Sequence, residues 1–325
     1  MAGLRIFVTW PMEREARAIL ERVGSVETSP SEGELPAEAL ARAVERADAL
    51  IPTGAHRVPP SVIAAAPGLR VIAVAAVGYN LVDVAAATAR GILVTNTPGV
   101  LTETTADLAW ALMLAVARRV VEADRFVRAG RWTGVTWSLL LGDDVQRSTL
   151  GIVGLGRIGK AVARRATGFG MRVVYHSRHP DPDAEGLGAV FRSKTDLLQE
   201  ADFVILTVPL TPETRGLIGK TELALMKPSA YLINVARGPI VDEAALAAAL
   251  RARQIAGAGL DVFEDEPRIH PDLLALDQVV LTPHIGSASR ATRLAMATRA
   301  AENCVVALEG RRPPDLVNPD AWRGR

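Results

Sequence analysis

The residues of this chain best suited to chemistry stand at the ends of short apolar runs. Gly151-Ile152-Val153-Gly154-Leu155-Gly156-Arg157-Ile158-Gly159 completes one such run and opens an Ala-rich helical stretch. In that context a glycine triad reads as a phosphate cradle. Gly154 permits a tight turn, Gly156 lets a pyrophosphate approach the backbone, Gly159 lets helix and strand pack closely, and the helix N-terminus attracts the anion. Three later runs end in side chains of acid–base or anion-binding type: Arg237 after Asn234-Val235-Ala236, the acidic stretch from Asp261 to Glu264-Asp265-Glu266, and His284 after Thr282-Pro283. Of the five histidines, His56 and His270 lie in Pro-flanked loops, and His176 and His179 lie beyond the next strand of the glycine domain; only His284 ends a strand. Taken singly, these residues read as a core histidine, a surface arginine and an acidic turn. Together they supply a proton donor, a fork for a carboxylate and an orienting carboxylate, at the strand ends where ligands of an open parallel sheet collect. The acidic stretch matches no Ca²⁺ or Zn²⁺ ligand spacing, so no metal is expected.

The strand after the glycines ends Val173-Val174-Tyr175-His176-Ser177-Arg178. An NAD site expects a carboxylate here, about 20 residues past the glycines, to grip the ribose 2′-hydroxyl. None is present, and Asp181 follows only after Pro180. Ser177 and the planar donors of Arg178 suit a 2′-phosphate instead, which favours NADP and leaves NAD as the alternative.

The elements that must position these groups alternate between strand and helix. Strands are expected at Leu4–Thr9, Ala49–Thr53, Arg70–Ala76 and Ile92–Asn96, then at Leu150–Val153, Arg172–Tyr175, Ala201–Val208, Tyr231–Val235, Ala258–Val262 and Gln278–Leu281. Near-continuous apolar strands separated by helices imply parallel sheets covered on both faces. One unbroken helix is expected from Thr102 to Ala129, apolar on so much of its circumference that it needs a second surface, either across domains or on another subunit. A last helix, Ala288–Glu309, is expected to lead back to the first domain.

With 325 residues, 49% of them apolar, and a net charge of +1, the chain suits two globular domains and gives no sign of a nucleic-acid partner. No run approaches the ~18–20 uncharged residues of a membrane span, and the first ten residues lack the pattern of a secretory leader. One cysteine, Cys304, rules out a disulfide framework and fits a reducing, cytoplasmic setting.

These segments resemble the D-isomer-specific 2-hydroxyacid dehydrogenase family over essentially the whole length, most closely its glyoxylate/hydroxypyruvate reductase branch. The resemblance rests on Val77-Gly78-Tyr79-Asn80, the stretch Asn96–Asp107, the glycine fingerprint, the stretch Val208–Thr214, Asn234–Gly238, Gly259–Pro267 and Thr282–Ser287. It implies two doubly wound α/β domains: a Rossmann cofactor domain at 100–287, and a smaller flavodoxin-like substrate domain formed by 1–99 plus 288–325. It further implies reduction of glyoxylate or hydroxypyruvate by a nicotinamide cofactor. His284 would be the general acid/base, Glu266 its paired carboxylate and Arg237 the substrate arginine. The backbone of Val77 and Gly78 would take the substrate carboxylate. Cofactor contacts would fall at Thr105, Gly154, Gly156, Arg157, Ile158, Gly159, Ser177, Arg178, Pro209, Thr214, Val235, Asp261 and Gly286, with Asp261 near the nicotinamide. A homodimer through the helix near 102–129 is also implied. The chain departs from its relatives at Val135 and Trp137, in a loop that bears on substrate choice. The alternatives are dehydrogenation of 3-phosphoglycerate, formate, phosphonate or D-lactate, or a dinucleotide-sensing corepressor of the same fold.

Overall fold

The computed structural model describes residues 3–33 and 35–324. Met1, Ala2, Glu34 and Arg325, all within the expected first domain, lie outside the described residues. The chain forms two compact units, Met1–Leu101 with Ser287–Arg325, and Thr102–Gly286.

The first unit begins with β1 (Leu4–Val8), α1 (Arg14–Leu20), β2 (Gly24–Thr28), α2 (Ala37–Val44), β3 (Ala49–Ile51), α3 (Pro60–Ala65), β4 (Val71–Ala73), α4 (Val84–Ala89) and β5 (Leu93–Thr95). Its five parallel strands run β2-β1-β3-β4-β5, the flavodoxin-like order. Every residue of β3 and β4 is buried, as helices on both faces require. α4 starts where the Asp83 carboxylate accepts the Ala86 N–H at 2.8 Å. The unforeseen β2 is an edge strand whose residues alternate between half-buried and exposed, so it lacks the continuous apolar run of its neighbours.

The second unit contains α5 (Thr102–Ala117), α6 (Val120–Arg128), β6 (Thr149–Val153), α7 (Arg157–Ala166), β7 (Arg172–His176), β8 (Ala189–Phe191), α8 (Lys194–Glu200), β9 (Phe203–Leu206), α9 (Lys220–Leu225), β10 (Tyr231–Asn234), α10 (Glu243–Arg251), β11 (Gly257–Leu260), α11 (Pro271–Leu274) and β12 (Val279–Leu281). The seven parallel strands run β12-β11-β10-β9-β6-β7-β8. Counted from β6 as the first, this is the order 3-2-1-4-5-6 extended by one strand, a Rossmann sheet whose switch point lies between β6 and β9.

The unbroken helix expected from Thr102 to Ala129 is two helices. Arg119 takes a left-handed conformation, φ 52°, between them. The cause is tertiary: the Ala117 carbonyl accepts the Asp143 N–H at 2.9 Å and so leaves the helical ladder. The apolar excess of α5 is used inside its own unit. Trp110 stacks on Phe169 at 4.6 Å, and Leu112 and Val116 lie against Gly259 and Gly257, where a Cβ would come within 3.0 and 2.9 Å. α6, by contrast, buries none of its residues.

The final helix, α12 (Arg290–Leu308), belongs to the first unit, packing on α1 and the central strands and burying Cys304. Beyond it, the Asn318 carboxamide accepts the Val94 N–H at 2.7 Å and donates to the Ile92 carbonyl at 2.9 Å, lacing the end of the chain to β5. No helix among the described residues is long and apolar enough to cross a membrane.

Candidate active site

At the switch point, two glycines of the fingerprint are demanded by the protein itself. Gly154 sits at φ 99°, and a Cβ there would lie 2.7 Å from Val208 Cγ1. A Cβ on Gly159 would lie 2.2 Å from the Gly154 carbonyl oxygen, so α7 could not seat on β6. Gly156 differs: a Cβ there meets no protein atom within 4 Å. Nothing in the chain asks for glycine at that point, and the side chain it lacks would stand where a pyrophosphate must approach. Gly156 is also the N-cap of α7 and gives it no side-chain cap, so the first amides of the helix face outward with Arg157 and Ile158. The cradle therefore fits a dinucleotide.

Neighbouring strands fix the cradle. Thr207, just past β9, donates its hydroxyl to the Gly154 carbonyl at 2.5 Å, and the Leu155 N–H donates to Ser177 Oγ at 3.0 Å. Arg178 is exposed beside Ser177. The Asp181 and Asp183 carboxylates beyond are held by Lys160 at 2.9 and 2.6 Å. The loop after β9 is braced by the Thr214 hydroxyl, which donates to the Pro209 carbonyl at 2.6 Å. Thr105 of α5 and Asp261 both face Gly286, where a Cβ would lie 3.4 Å from Thr105 Cγ2 and 3.2 Å from Asp261 Oδ2. Val235 is buried at the end of β10.

The structure brings Arg237, Glu266 and His284 together at the ends of β10, β11 and β12. His284 lies three residues past β12, at φ 55°. A non-glycine residue is uncommon there and must be held by its surroundings. Asp261 does the holding: its carbonyl accepts the His284 N–H at 2.8 Å, and its buried carboxylate accepts Thr282 Oγ1 at 2.7 Å, the Ile285 N–H at 2.7 Å and the Gly286 N–H at 2.8 Å. The imidazole so placed pairs through Nδ1 with Glu266 Oε2 at 2.8 Å, while Glu266 Oε1 accepts the Phe263 N–H at 3.0 Å. Burial alone would push the Glu266 carboxyl up, but the bond and charge of His284, the Phe263 amide and the charge of Arg237 together hold it below the ordinary range. An ionised carboxylate only accepts, so Nδ1 carries the proton of the shared bond and Nε2 is directed to outside chemistry.

Arg237 is presented by a turn that Asn234 ties, its side chain accepting the Ala236 N–H and donating to the Arg237 carbonyl, each at 3.0 Å. Burial pushes the guanidinium down from its ordinary value, and the Glu266 charge pulls it back up. A Cβ on Gly238 would lie 1.8 Å from the Phe263 carbonyl carbon, so the arginine turn lies directly on the acidic loop. Val77 and Gly78 lie in the first unit, half-buried in the loop after β4, where Asn96 Nδ2 donates to the Val77 carbonyl at 2.8 Å. Reading by residue type missed Lys160, Thr207, Glu243 and the bonding of Thr282. Only Thr282 carried a signal, as the hydroxyl two residues before His284. Among the described residues, no group of His, Cys, Asp and Glu is arranged to hold a metal ion.

Residues 110–286 match the family profile described as D-isomer specific 2-hydroxyacid dehydrogenase, NAD binding domain. Over 326 aligned residues, covering 99% of this chain and 98% of the relative, the sequence is 50% identical to a glyoxylate reductase of Thermococcus kodakarensis. A glyoxylate reductase of Pyrococcus horikoshii is also 50% identical, with the same coverage. The fold superposes, with a TM-score of 0.87 and 36% identity, on an NADPH-dependent glyoxylate/hydroxypyruvate reductase from Sinorhizobium meliloti, crystallised with NADP and malonate; the match covers 100% of this chain and 99% of that one. With its Rossmann sheet, its pyrophosphate cradle and its likeness along the full length, the chain belongs to the D-isomer-specific 2-hydroxyacid dehydrogenase family and is an NAD(P)-dependent oxidoreductase.

Proposed function

We propose that this protein reduces glyoxylate or hydroxypyruvate to the corresponding 2-hydroxy acid, with NADPH preferred to NADH. The observation that carries the reading is the His284–Glu266 bond of 2.8 Å, formed beside the buried Arg237 in the same unit as the cradle. The relatives named glyoxylate reductase support the choice of substrate.

A bound nicotinamide would supply the hydride, held by the cradle of Gly154, Gly156 and Gly159 with Ser177 and Arg178 toward its adenosine end. The planar fork of Arg237 suits a 2-oxo acid, whose carboxylate and adjacent carbonyl offer it two oxygens. As negative charge develops on the carbonyl oxygen, His284 Nε2 donates a proton. Glu266 keeps the imidazole oriented and balances its positive charge. Asp261 holds the loop that carries His284, and Thr105, Pro209, Thr214, Val235 and Gly286 complete the cofactor contacts. On this reading the unit Thr102–Gly286 is the cofactor domain and the unit that holds Val77 and Gly78 is the substrate domain.

The same reading makes the protein a cytoplasmic homodimer. Because α5 is used inside its own unit, the surface for a second copy is α6 and the loop after it, where Val120, Val127, Trp132 and Trp137 are exposed. Initial rates for a panel of 2-oxo acids with NADPH and with NADH, followed at the nicotinamide absorbance, test the function. Turnover of glyoxylate or hydroxypyruvate well above that of pyruvate and 3-phosphohydroxypyruvate supports it. Turnover confined to either of the latter overturns it.

A further inference from the structure

One buried carboxylate outside the His284–Glu266 pair grips the acidic loop. Glu243 opens α10, where an acidic residue is ordinarily a solvated partner of the helix dipole. Here the residue is only 5% exposed. Its Oε1 accepts the Glu264 N–H at 2.6 Å and its Oε2 accepts the His270 N–H at 3.2 Å. The two oxygens thus hold both ends of the segment 264–270, and Glu266 lies between them. The preceding residue, Phe263, rests against Gly238 so closely that no side chain fits there, and its N–H completes the bonding of Glu266. The segment that carries Glu266 is thus tied at Glu264 and His270 and abuts Gly238 at Phe263, and from it Glu266 Oε2 reaches His284 Nδ1 at 2.8 Å.

We propose that Glu243 is a positioning residue for proton transfer, setting Glu266 and through it the orientation of His284. This rests on the reading of His284 as the acid/base. The other charged groups that face this loop are the Asp265–Arg268 pair, the Arg251–Asp272 pair and the His270 ring at the head of α11, while Arg237 and Asp261 face the His284–Glu266 pair.

The test is Glu243→Gln, which keeps the side-chain volume and one acceptor oxygen but turns an NH₂ group toward one of the two loop amides. Expected is a fall in kcat on the order of tenfold, smaller than the roughly hundredfold or more that outright loss of an acid–base group costs, with the Kd for NADPH unchanged. The acidic limb of the pH–rate profile in the reductive direction should also move to higher pH, because a displaced Glu266 loses the His284 bond and the Phe263 amide that hold its carboxyl low. Glu243→Asp, which keeps the charge, should recover part of both effects. A folded Glu243→Gln enzyme with an unmoved profile, whether kcat is preserved or falls uniformly, would overturn the proposal. If Glu243→Gln does not fold, Glu243→Asp decides alone: an unmoved profile there counts against it and a moved one for it. Near-normal turnover by His284→Ala would instead defeat the underlying reading, so the two failures are distinguishable.

Discussion

Lys160 Nζ stands 2.9 Å from Asp181 Oδ1, and the ammonium holds that carboxyl below its ordinary range. The pair matters for cofactor choice because Asp181 is the first carboxylate after the cofactor strand, and Lys160 also takes Asp183 at 2.6 Å. Lys160 offsets one of these two negative charges, and Arg178, exposed beside Ser177, adds a second cation where a 2′-phosphate would lie. NADPH is therefore expected to show a higher kcat/KM than NADH. Arg178→Ala should narrow the gap through the KM for NADPH, since a 2′-phosphate remote from the hydride contributes uniform binding. Ser177→Asp should reverse it, because the hydroxyl that accepts the Leu155 amide is replaced by a negative charge beside the cradle. Paired titrations of both cofactors provide the check; equal specificity constants in the unmodified enzyme would count against it.

The parallel sheets were legible because their central strands are continuous apolar runs, as in Ala49–Ile51 and Phe203–Leu206, and such runs have few other uses. The edge strand β8 was not, since Val190 and Phe191 are exposed and carry no core pattern. The break at Arg119 has no glycine or proline to mark it; its cause is an amide in a distant loop. The same division holds in the site. His284, Arg237 and the acidic stretch could be picked out because each carries charge just past a strand of the glycine domain, whereas Glu266 was singled out within that stretch only by the family resemblance. Glu243 and Thr207 could not, because what distinguishes them is a bond to the backbone of a segment far along the chain.

His284→Ala should lower turnover by a factor on the order of a hundred or more, the range of general acid–base loss. The affinity for NADPH should persist, since the cradle glycines are untouched. Stopped-flow single turnovers together with cofactor fluorescence titration separate the two quantities. Turnover within a few-fold of the unmodified enzyme would remove His284 from the chemistry.

Arg237→Lys tests the guanidinium rather than the charge. A lysine places one ammonium where two parallel donors are needed, and it loses the anchor to the Ala236 carbonyl that holds the fork at 2.6 Å. Both a raised KM for the 2-oxo acid and a lowered kcat are expected, because the contact should strengthen as charge develops on the carbonyl oxygen. Steady-state kinetics would show it, and unchanged constants would mean that the arginine serves only the fold.

Cys304 ties the stability of the first unit to pH. The thiol is wholly buried on α12, and burial pushes it up to about 12. In the unfolded chain a cysteine titrates near ~8.5. Below that value both states hold the proton and the group contributes nothing to pH dependence. Between the two values the native state keeps a proton that the unfolded chain has lost, so stability falls as pH rises, by about 1.4 kcal/mol per unit at most. Urea midpoints taken between pH 7 and pH 10 should accordingly fall more steeply for the unmodified protein than for Cys304→Ala, which lacks the thiol. Iodoacetamide at pH 8.5 should leave the native protein unlabelled by mass while alkylating the urea-unfolded chain, because only the unfolded chain offers an accessible thiolate. Native labelling at the unfolded rate, or parallel pH slopes for the two proteins, would show that the thiol is not held in its neutral form by the core.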